Sequence, residues 1–515
     1  MKKNVLASAL SLLFAGISCS ASAAPTIAFE ELGRYATGLA DIDEEVSSGE
    51  TVALRGDKMY VTNANDVSLD IVDVSDPAAP LLVKRVDLKA FGAGVNSVDV
   101  SSKNLIAVAV AAPKKTDPGT VVFLTPGGQV INSAVVGANP DMVVFTPKGD
   151  RLLAANEGEP DCYGLGCTDP EGSVSVIDVL PMKPVLPVHT IGFNGVTVPA
   201  GVRIFGPGAS AAQDLEPEYI AVSEDGSTAW VSLQENNAIA RLDLNSLAVT
   251  GIFPLGYKDH GASGNGLDAS DKDDAIKIRP WSNVLGMYMP DALAQFKAGG
   301  QAYLVTANEG DARDYDGFSE EERAKNLAEE HPTLADIPGI DEKTELGRLT
   351  VTNTPPNGDF ENIYVFGARS FTIWNADTGA RVWDSGDQLE LLTAAAQPDY
   401  FNSHNDENEF DNRSDNKGPE PEGVAVGRLG GHVYAFVGLE RIGGVMVYDI
   451  TDPSAPEFQD YLVTRDFSSD EVGPDSGPEI IRFIKPEVSP TGAPMLVIAN
   501  EITGTVNLMG LKPLP

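Results

Sequence analysis

Five times along the chain, a proline and an acid lead into a short strand, and a second strand then ends on a polar residue and a glutamate. The first half reads "NPDMVVF", "EPEYIAV", "MPDALAQF", "EPEGVAV" and "GPEIIRF"; the second reads "RLLAANE", "AWVSLQE", "AYLVTANE", "YAFVGLE" and "MLVIANE". Asp141 is thereby matched with Glu157, Glu218 with Glu235, Asp291 with Glu309, Glu422 with Glu440, and Glu479 with Glu501. A third strand often follows, as in "GSVSVIDV", "NAIARLDL" and "GGVMVYDI". Units near "KMYVTNAND" and "NLIAVAVAAP" keep the rhythm with weaker acids, and "NIYVFGARSFTIWNADTGARVWDSG" supplies another set of strands. Repeats of roughly 40 residues built from successive antiparallel strands specify a β-propeller, because one unit cannot bury its own faces. Length alone would suggest three domains, but the repeat overrides that prior. A β-sandwich would leave the five recurrences unexplained. The expectation is an all-β fold: one propeller of four-stranded blades over residues 27–512, with seven blades preferred to eight. The region 300–386 carries that ambiguity. The clearest helix is "SEEERAKNLAEE", near 319–330, where Ser319 and Glu322 spell a capping box.

In a hairpin the start of the first strand lies beside the end of the second. The proline-acid pairs and the strand-end glutamates therefore share one face of the ring, and the first strand lines the channel. The repeat predicts a ring of carboxylates around one mouth. Such acids can serve as latches to backbone amides; taken together, with acidic insertions emerging among them, they point to a cation site.

Three insertions carry the acids. "EGDARDYDG" holds Glu309, Asp311, Asp314 and Asp316 around Arg313. "YKDHGASGNGLDASDKDD" holds His260 among aspartates, and "FNSHNDENEFDNRSDNKGPEPEG" holds His404, Asp406 and Arg413 ahead of Glu422. Calcium takes six to eight oxygens in flexible loops of this kind, although Arg313 and Tyr315 break the EF-hand pattern. The expected metal ligands are Glu157, Glu309, Asp311, Asp314, Asp316, Asp406 and Glu422, with Ca2+ as the ion and Arg313 turned towards an anionic ligand. The five histidines show no paired metal-binding spacing. No P-loop, dinucleotide fingerprint or nucleophile elbow stands in a credible context. Arg313, His260, His404 and Arg413 are the candidates for catalytic roles, with arginine among acids suited to a phosphate or sulfate.

The chain opens with "MKK", the apolar run "NVLASALSLLFAGIS" and "ASA", which together read as a signal peptide over 1–23 cleaved after Ala23. Cys19 follows "GIS" rather than a leucine-led lipoprotein box. No later apolar run reaches membrane-spanning length. The expected location is secreted or periplasmic. Loss of Lys2 and Lys3 with the leader takes the formal charge from −39 to −41. Such a surface repels nucleic acid and anionic lipid and attracts cations. Cys162 and Cys167, in "DCYGLGC", are expected to form a disulfide, with a zinc pair as the alternative. A monomer is expected.

"TANEGDARDYDGFSEEER", "YKDHGASGNGLDASDKD", "GARSFTIWN" and "DNRSDNKGPEPEGVAVG" resemble the signature segments of the choice-of-anchor I family. That family includes mesenchyme-specific cell-surface glycoproteins of sea urchin biomineralisation, and its bacterial members are often labelled alkaline phosphatases. The resemblance covers roughly 27–512 and implies a secreted propeller of the YVTN/WD-repeat class with links to calcium and mineral surfaces. Two functions are expected from residues and resemblance together. The leading one is metal-dependent phosphoester hydrolysis, and the alternative is non-catalytic, calcium-dependent recognition of a mineral, surface or protein.

Overall fold

The computed structural model describes residues 26–514 apart from 43, 45, 180–185 and 469–471. The expected signal peptide, with its expected cleavage after Ala23, lies outside the described residues. Seven four-stranded sheets form the fold, with neighbouring strands antiparallel throughout. Their innermost strands are Val52–Arg55, Gly94–Val100, Pro140–Phe145, Pro217–Val222, Leu293–Ala298, Pro421–Leu429 and Pro478–Ile484. Each inner strand packs beside the next, and the seventh packs beside the first. The ring is closed, and the protein is a single seven-bladed β-propeller.

Burial explains the strand sequences. The second strand of the second blade, Ile106–Ala111, reads "IAVAVA" and is buried at every residue. A strand covered on both faces by adjacent blades needs a continuous apolar run, not an alternating one. The outer strand Leu81–Asp87 is largely exposed and carries Lys84, Arg85 and Asp87. Charge there protects an edge from pairing with another chain.

Closure depends on the two ends of the chain. The seventh blade takes its outermost strand, Ile27–Ala36, from the N-terminal side. That strand pairs antiparallel with Thr505–Pro513, from Ile27 opposite Pro513 to Ala36 opposite Thr505. The repeats give no sign of this strand, which lacks their proline-acid pair.

An eighth blade does not form. The extra strands Tyr257–Asp259, Val284–Met287 and Ile363–Val365 make a small mixed sheet beside the ring. A separate apolar cluster fills this region, with Leu267, Trp281, Leu327, Leu334 and Leu349 among its members. The fifth blade accommodates the insertion between its second strand, Gln301–Asn308, and its third, Ser370–Asn375.

The helix near 319–330 is present as Ala324–Glu330, and it begins later than a Ser319 cap requires. Ser319 lies in the strand Phe318–Ser319, and Glu321–Arg323 pairs with Thr350–Thr352. Tertiary bonding overrides the local capping signal here. The intervening Glu320 is fully buried and accepts from Arg203 Nη2 at 2.6 Å and from the Arg313 backbone N–H at 3.1 Å. A helical turn through Glu320 would withdraw it from those donors.

The closing strand is seated on the first blade at Gly33, where a Cβ would lie 2.1 Å from the carbonyl oxygen of Pro77. Gly33→Ala is expected to cost about 1–3 kcal/mol by overpacking. Urea unfolding should show a lower midpoint at an unchanged slope. An unchanged midpoint would mean that the closing strand does not rest on the first blade.

A candidate cation site at the channel mouth

The acid that opens each inner strand is aimed by a recurrent backbone device. The ladder slips immediately after the proline, between Pro140 and Val143, Pro217 and Ile220, Pro421 and Val424, and Pro478 and Ile480. Asp141, Glu218, Glu422 and Glu479 sit within those bulges, which re-aim a side chain that regular pleating would direct elsewhere. The residue before the proline is left-handed in four repeats, with φ of 46° at Asn139, 41° at Met289, 49° at Glu420 and 74° at Gly477. Only one of these is glycine, and strain of this kind gathers at functional sites. The carbonyl of that residue accepts from the strand-end glutamate N–H in three blades: Glu157 to Asn139, Glu440 to Glu420, and Glu501 to Gly477. This bond sets the two acids of a repeat side by side.

The blades bring these acids into mutual range. Burial raises the Glu218 carboxyl well above its ordinary value, and Glu235, Asp291, Glu157 and Asp141 raise it further by repulsion. Asp291 is raised likewise, first by burial and then by Glu309 and Asp141. Burial also lifts Asp141, Glu235 and Glu501 to about 7 and Glu440 to about 8. Glu422 and Glu479 lie within hydrogen-bonding range of each other. Two carboxyl groups hold that arrangement by sharing a proton or a cation. Glu218 Oε2, Glu235 Oε2 and Glu422 Oε2 are buried without a hydrogen-bond partner.

One side of the mouth is electrically balanced. Carboxylate oxygens of Glu309, Glu420 and Glu440 lie within 4.8 Å of one another. Lys417 Nζ lies 2.8 Å from Glu309 and 3.1 Å from Glu420. Arg441 reaches Glu420 and Glu440 at 3.0 Å each, and Arg413 Nε donates to Glu420 at 2.9 Å. Burial opposes ionisation of Glu420, but Lys417, Arg441 and Arg413 outweigh it and hold the carboxyl well below its usual range. Three cations thus face three carboxylates. In the opposite arc, from Asp141 through Glu218 to Asp291, Lys115 acts on Asp141 and Arg313 on Glu235, while the leading influences on Glu218 and Asp291 are burial and other acids. That arc, continued by Glu422 and Glu479, is left short of positive charge.

The candidates from the sequence divide accordingly. Glu157, Glu309, Asp311 and Glu422 line the mouth; Asp311 meets solvent there, yet crowding by protein around its carboxyl raises it to about 6, against the pull of Lys417. Asp314 and Asp316 do not join them, because both are exposed on the hairpin of Asp314–Tyr315 with Phe318–Ser319. Asp406 is half exposed and contacts His404 Nδ1 at 2.5 Å rather than Glu422. Arg413 belongs to the Glu420 network, and His404 borders it, lowered by burial and by Arg441. His260 is fully buried in the side sheet, with Nδ1 2.7 Å from the carbonyl of Asn265. Burial first, then Lys258, holds it neutral, far from an acid–base role.

Arg313, expected to face an anionic ligand, is turned into the protein interior. It is wholly buried, paired with Asp214 and 3.0 Å from Glu216, with its guanidinium 4.5 Å over the Phe205 ring. Its neighbours in sequence are not its partners, which is why composition misplaced it. Cys162 and Cys167 form a disulfide beside this region. Glu50, Lys417 and Arg441 went unrecognised as mouth residues. Glu50 stands before its strand without the proline signal, and it is close enough to repel Glu501. At the matching place in the second blade the bulge holds Asn96, so the ring of acids is interrupted there.

A seven-bladed propeller with an acid-lined mouth is the class of protein that fold and site define. The sequence model of the choice-of-anchor I domain matches residues 51–453, and the chain belongs to that family. It is 32% identical to Gigasin-3a of Magallana gigas over 200 residues, which is 35% of this chain and 70% of that protein. It is 30% identical over 276 residues to the Mesenchyme-specific cell surface glycoprotein of Strongylocentrotus purpuratus, covering 46% of this chain and 35% of the glycoprotein. The chain therefore spans about a third of that glycoprotein's length. Kuenenia stuttgartiensis hydrazine synthase aligns at 14% identity and TM-score 0.45, over 90% of this chain and 95% of its own. The Myceliophteria thermophila Cps50 (Swd1) beta-propeller domain aligns at 10% identity and TM-score 0.45, over 94% and 99%. At those scores the propeller assignment stands on this chain's own strand order. No helix among the described residues is long and apolar enough to cross a membrane.

Two outcomes follow from this geometry. Arg313→Met strands Asp214 and Glu216 as buried charges and should cost about 3–5 kcal/mol. Chemical denaturation reads that loss, and a loss below 1 kcal/mol would reject the buried pair. The raised acids also set a pH dependence. A carboxyl whose pKa is higher folded than unfolded binds more protons in the native state between the two values, so stability falls as pH rises through that window. In chelator, the melting midpoint should fall between pH 5 and 8, the range from unfolded carboxyls to the values near 7 and 8. Glu422→Gln with Glu479→Gln should flatten the curve, and a rise across that window would contradict the assignment.

Proposed function

We propose that the protein is an exported propeller whose channel mouth binds divalent cations, calcium above all, and that the bound ions serve recognition of a surface, mineral or protein ligand. The observation that carries this reading is the Glu422–Glu479 contact within an arc of acids that has almost no cations of its own. Such a set is short of positive charge, and its unpartnered Glu218 and Glu422 oxygens are hard donors. Calcium accepts many oxygens in irregular geometry, whereas magnesium demands a tight octahedron, and donors spread over several blades suit calcium better. The name of the sea urchin relative supports a cell-surface or extracellular setting.

Phosphoester hydrolysis is the second reading. It draws support from Arg413, Lys417 and Arg441, which stand beside the acids where a phosphate would meet both. It loses support from Arg313 and His260, which are engaged elsewhere. Recognition is therefore the better supported of the two.

The test is thermal melting of chelator-stripped protein with added calcium chloride. Binding to the native state alone stabilises by about 2.7 kcal/mol at a hundredfold excess over Kd. Wild type should gain in midpoint, and Glu422→Gln with Glu479→Gln should lose most of that gain. A wild-type midpoint indifferent to calcium would reject the site. A parallel assay on p-nitrophenyl phosphate separates the two uses, since calcium-dependent hydrolysis abolished by the same pair would make the ions catalytic.

A further inference from the structure

Away from the mouth, a group of buried oxygens lies where the insertions 257–284 and 401–423 meet the helix Gln388–Ala396. Glu390, on that helix, is its hub. Glu390 Oε1 accepts from Arg369 Nη1 at 2.7 Å and from Asn402 Nδ2 at 3.0 Å, and Oε2 accepts from the Asp268 backbone N–H at 3.2 Å. Asn402 Nδ2 also donates to Ser414 Oγ at 2.8 Å, and Ser414 Oγ donates to Asp411 Oδ1 at 2.5 Å. Asp268, Glu390, Asn402, Asp411 and Ser414 are each at most 2% exposed.

Two oxygens in this group have nothing to bond. Asn402 Oδ1 and Asp411 Oδ2 are buried without a hydrogen-bond partner. Turning the Asn402 amide over would not help, because its oxygen would then face the Glu390 carboxylate. The charges are also unbalanced. Burial lifts Asp411 to about 8, and Asp268, Asp273 and Glu390 raise it further. Against these four acids stand Arg369, paired with Glu390, and Lys277, 2.7 Å from Asp273. Asp268 is met by the backbone N–H groups of Ser270 and Lys277 and Asp411 by Ser414 alone, so neither carboxyl has a side-chain cation as its direct partner when both are ionised. A buried pair of like charges beside unpartnered oxygens is costly unless a cation joins them.

We propose that this cluster is a second divalent-cation site, independent of the mouth, in which Asp411, Asn402 and Asp268 supply oxygen donors to calcium. Two carboxylates and an amide oxygen are the hard, mixed donor set that calcium takes. The ion ties the 401–423 insertion to the 257–284 insertion and to the helix bearing Glu390. The first of these insertions delivers Arg413, Lys417 and Glu420 to the mouth. Occupancy here therefore sets the position of the mouth's positive side without contributing a ligand to it.

The experiment is a calorimetric titration of the chelator-stripped full chain with calcium chloride. Three proteins are compared: wild type, Asp268→Asn with Asp411→Asn, and Glu422→Gln with Glu479→Gln. The asparagine pair should lose one binding event that the glutamine pair retains. Its midpoint in chelator should equal or exceed that of wild type, because the substitutions remove repulsion and keep shape. Full wild-type stoichiometry in the asparagine pair would overturn the proposal, as would a cluster that takes up no calcium in wild type because water fills it. Failure of the mouth site appears separately, as unchanged binding in the glutamine pair. Should the asparagine pair fail to fold, Asp411→Asn alone is read by terbium luminescence. Trp281, whose Nε1 donates to the carbonyl of Leu267 at 2.9 Å, is the adjacent sensitiser. A loss of about tenfold or more in terbium affinity sustains the site, and unchanged affinity rejects it.

Discussion

Ring closure forces carboxylates together, and their mutual repulsion governs how the mouth is built. The blades pack through inner strands that, the second blade excepted, begin on or just after an acid, so any closed arrangement delivers those acids to one mouth. At about 4 Å, two unscreened charges repel by roughly 1 kcal/mol in water and by about four times that at the effective dielectric of a protein surface. The closure that stabilises the fold through apolar burial therefore generates the charge problem. Everything distinctive about the mouth is a response to it.

The molecule answers in two ways, and they occupy different arcs. Around Glu420, the insertion 401–423 and the end of the sixth blade's second strand bring in Arg413, Lys417 and Arg441. Those side chains are covalently part of the fold, so their compensation is permanent and independent of solution. Around Glu218, Asp291, Glu422 and Glu479 no comparable set is supplied. There burial and mutual repulsion hold the carboxyls above their ordinary range, towards the protonated form. The shortage of positive charge therefore lies in the uncompensated arc and not at the geometrically tightest triad.

The propeller was legible in the sequence because its repeat unit is local. Proline, acid and strand-end glutamate recur within the span of one hairpin, and antiparallel pairing alone places them on a common face. Glu157, Glu309 and Glu422 were found in that way. Asp314 and Asp316 were misjudged because composition counts acids without knowing which way a loop turns. They leave on an exposed hairpin while Glu309 stays with Lys417. Arg313 shows the same limit from the other side. Its partners Asp214 and Glu216 lie in a different blade's approach, about a hundred residues earlier, and nothing local announces the pairing. The closing strand Ile27–Ala36 and the mouth residue Glu50 escaped because neither carries the proline that marked the other units.

The stretch "NEGDARDYDG" separates what a run of acids suggests from what a fold does with it. Its four carboxylates are not held together by one cation. Glu309 is held by Lys417 and by Gln234 Nε2 at 2.9 Å, Asp311 borders the mouth, and Asp314 and Asp316 face solvent. The single arginine among them is spent on a distant buried pair, and that pair fixes the root of the insertion to the approach of the fourth blade. Density of charge in sequence is relieved here by divergence in space. The uncompensated acidity of the mouth arises instead from residues far apart in the chain, such as Glu422 and Glu479, whose encounter only the closed ring can arrange. A sequence signal for an acid-lined mouth therefore lies in the acid that recurs from blade to blade, and the acid-rich loop between blades is the weaker guide.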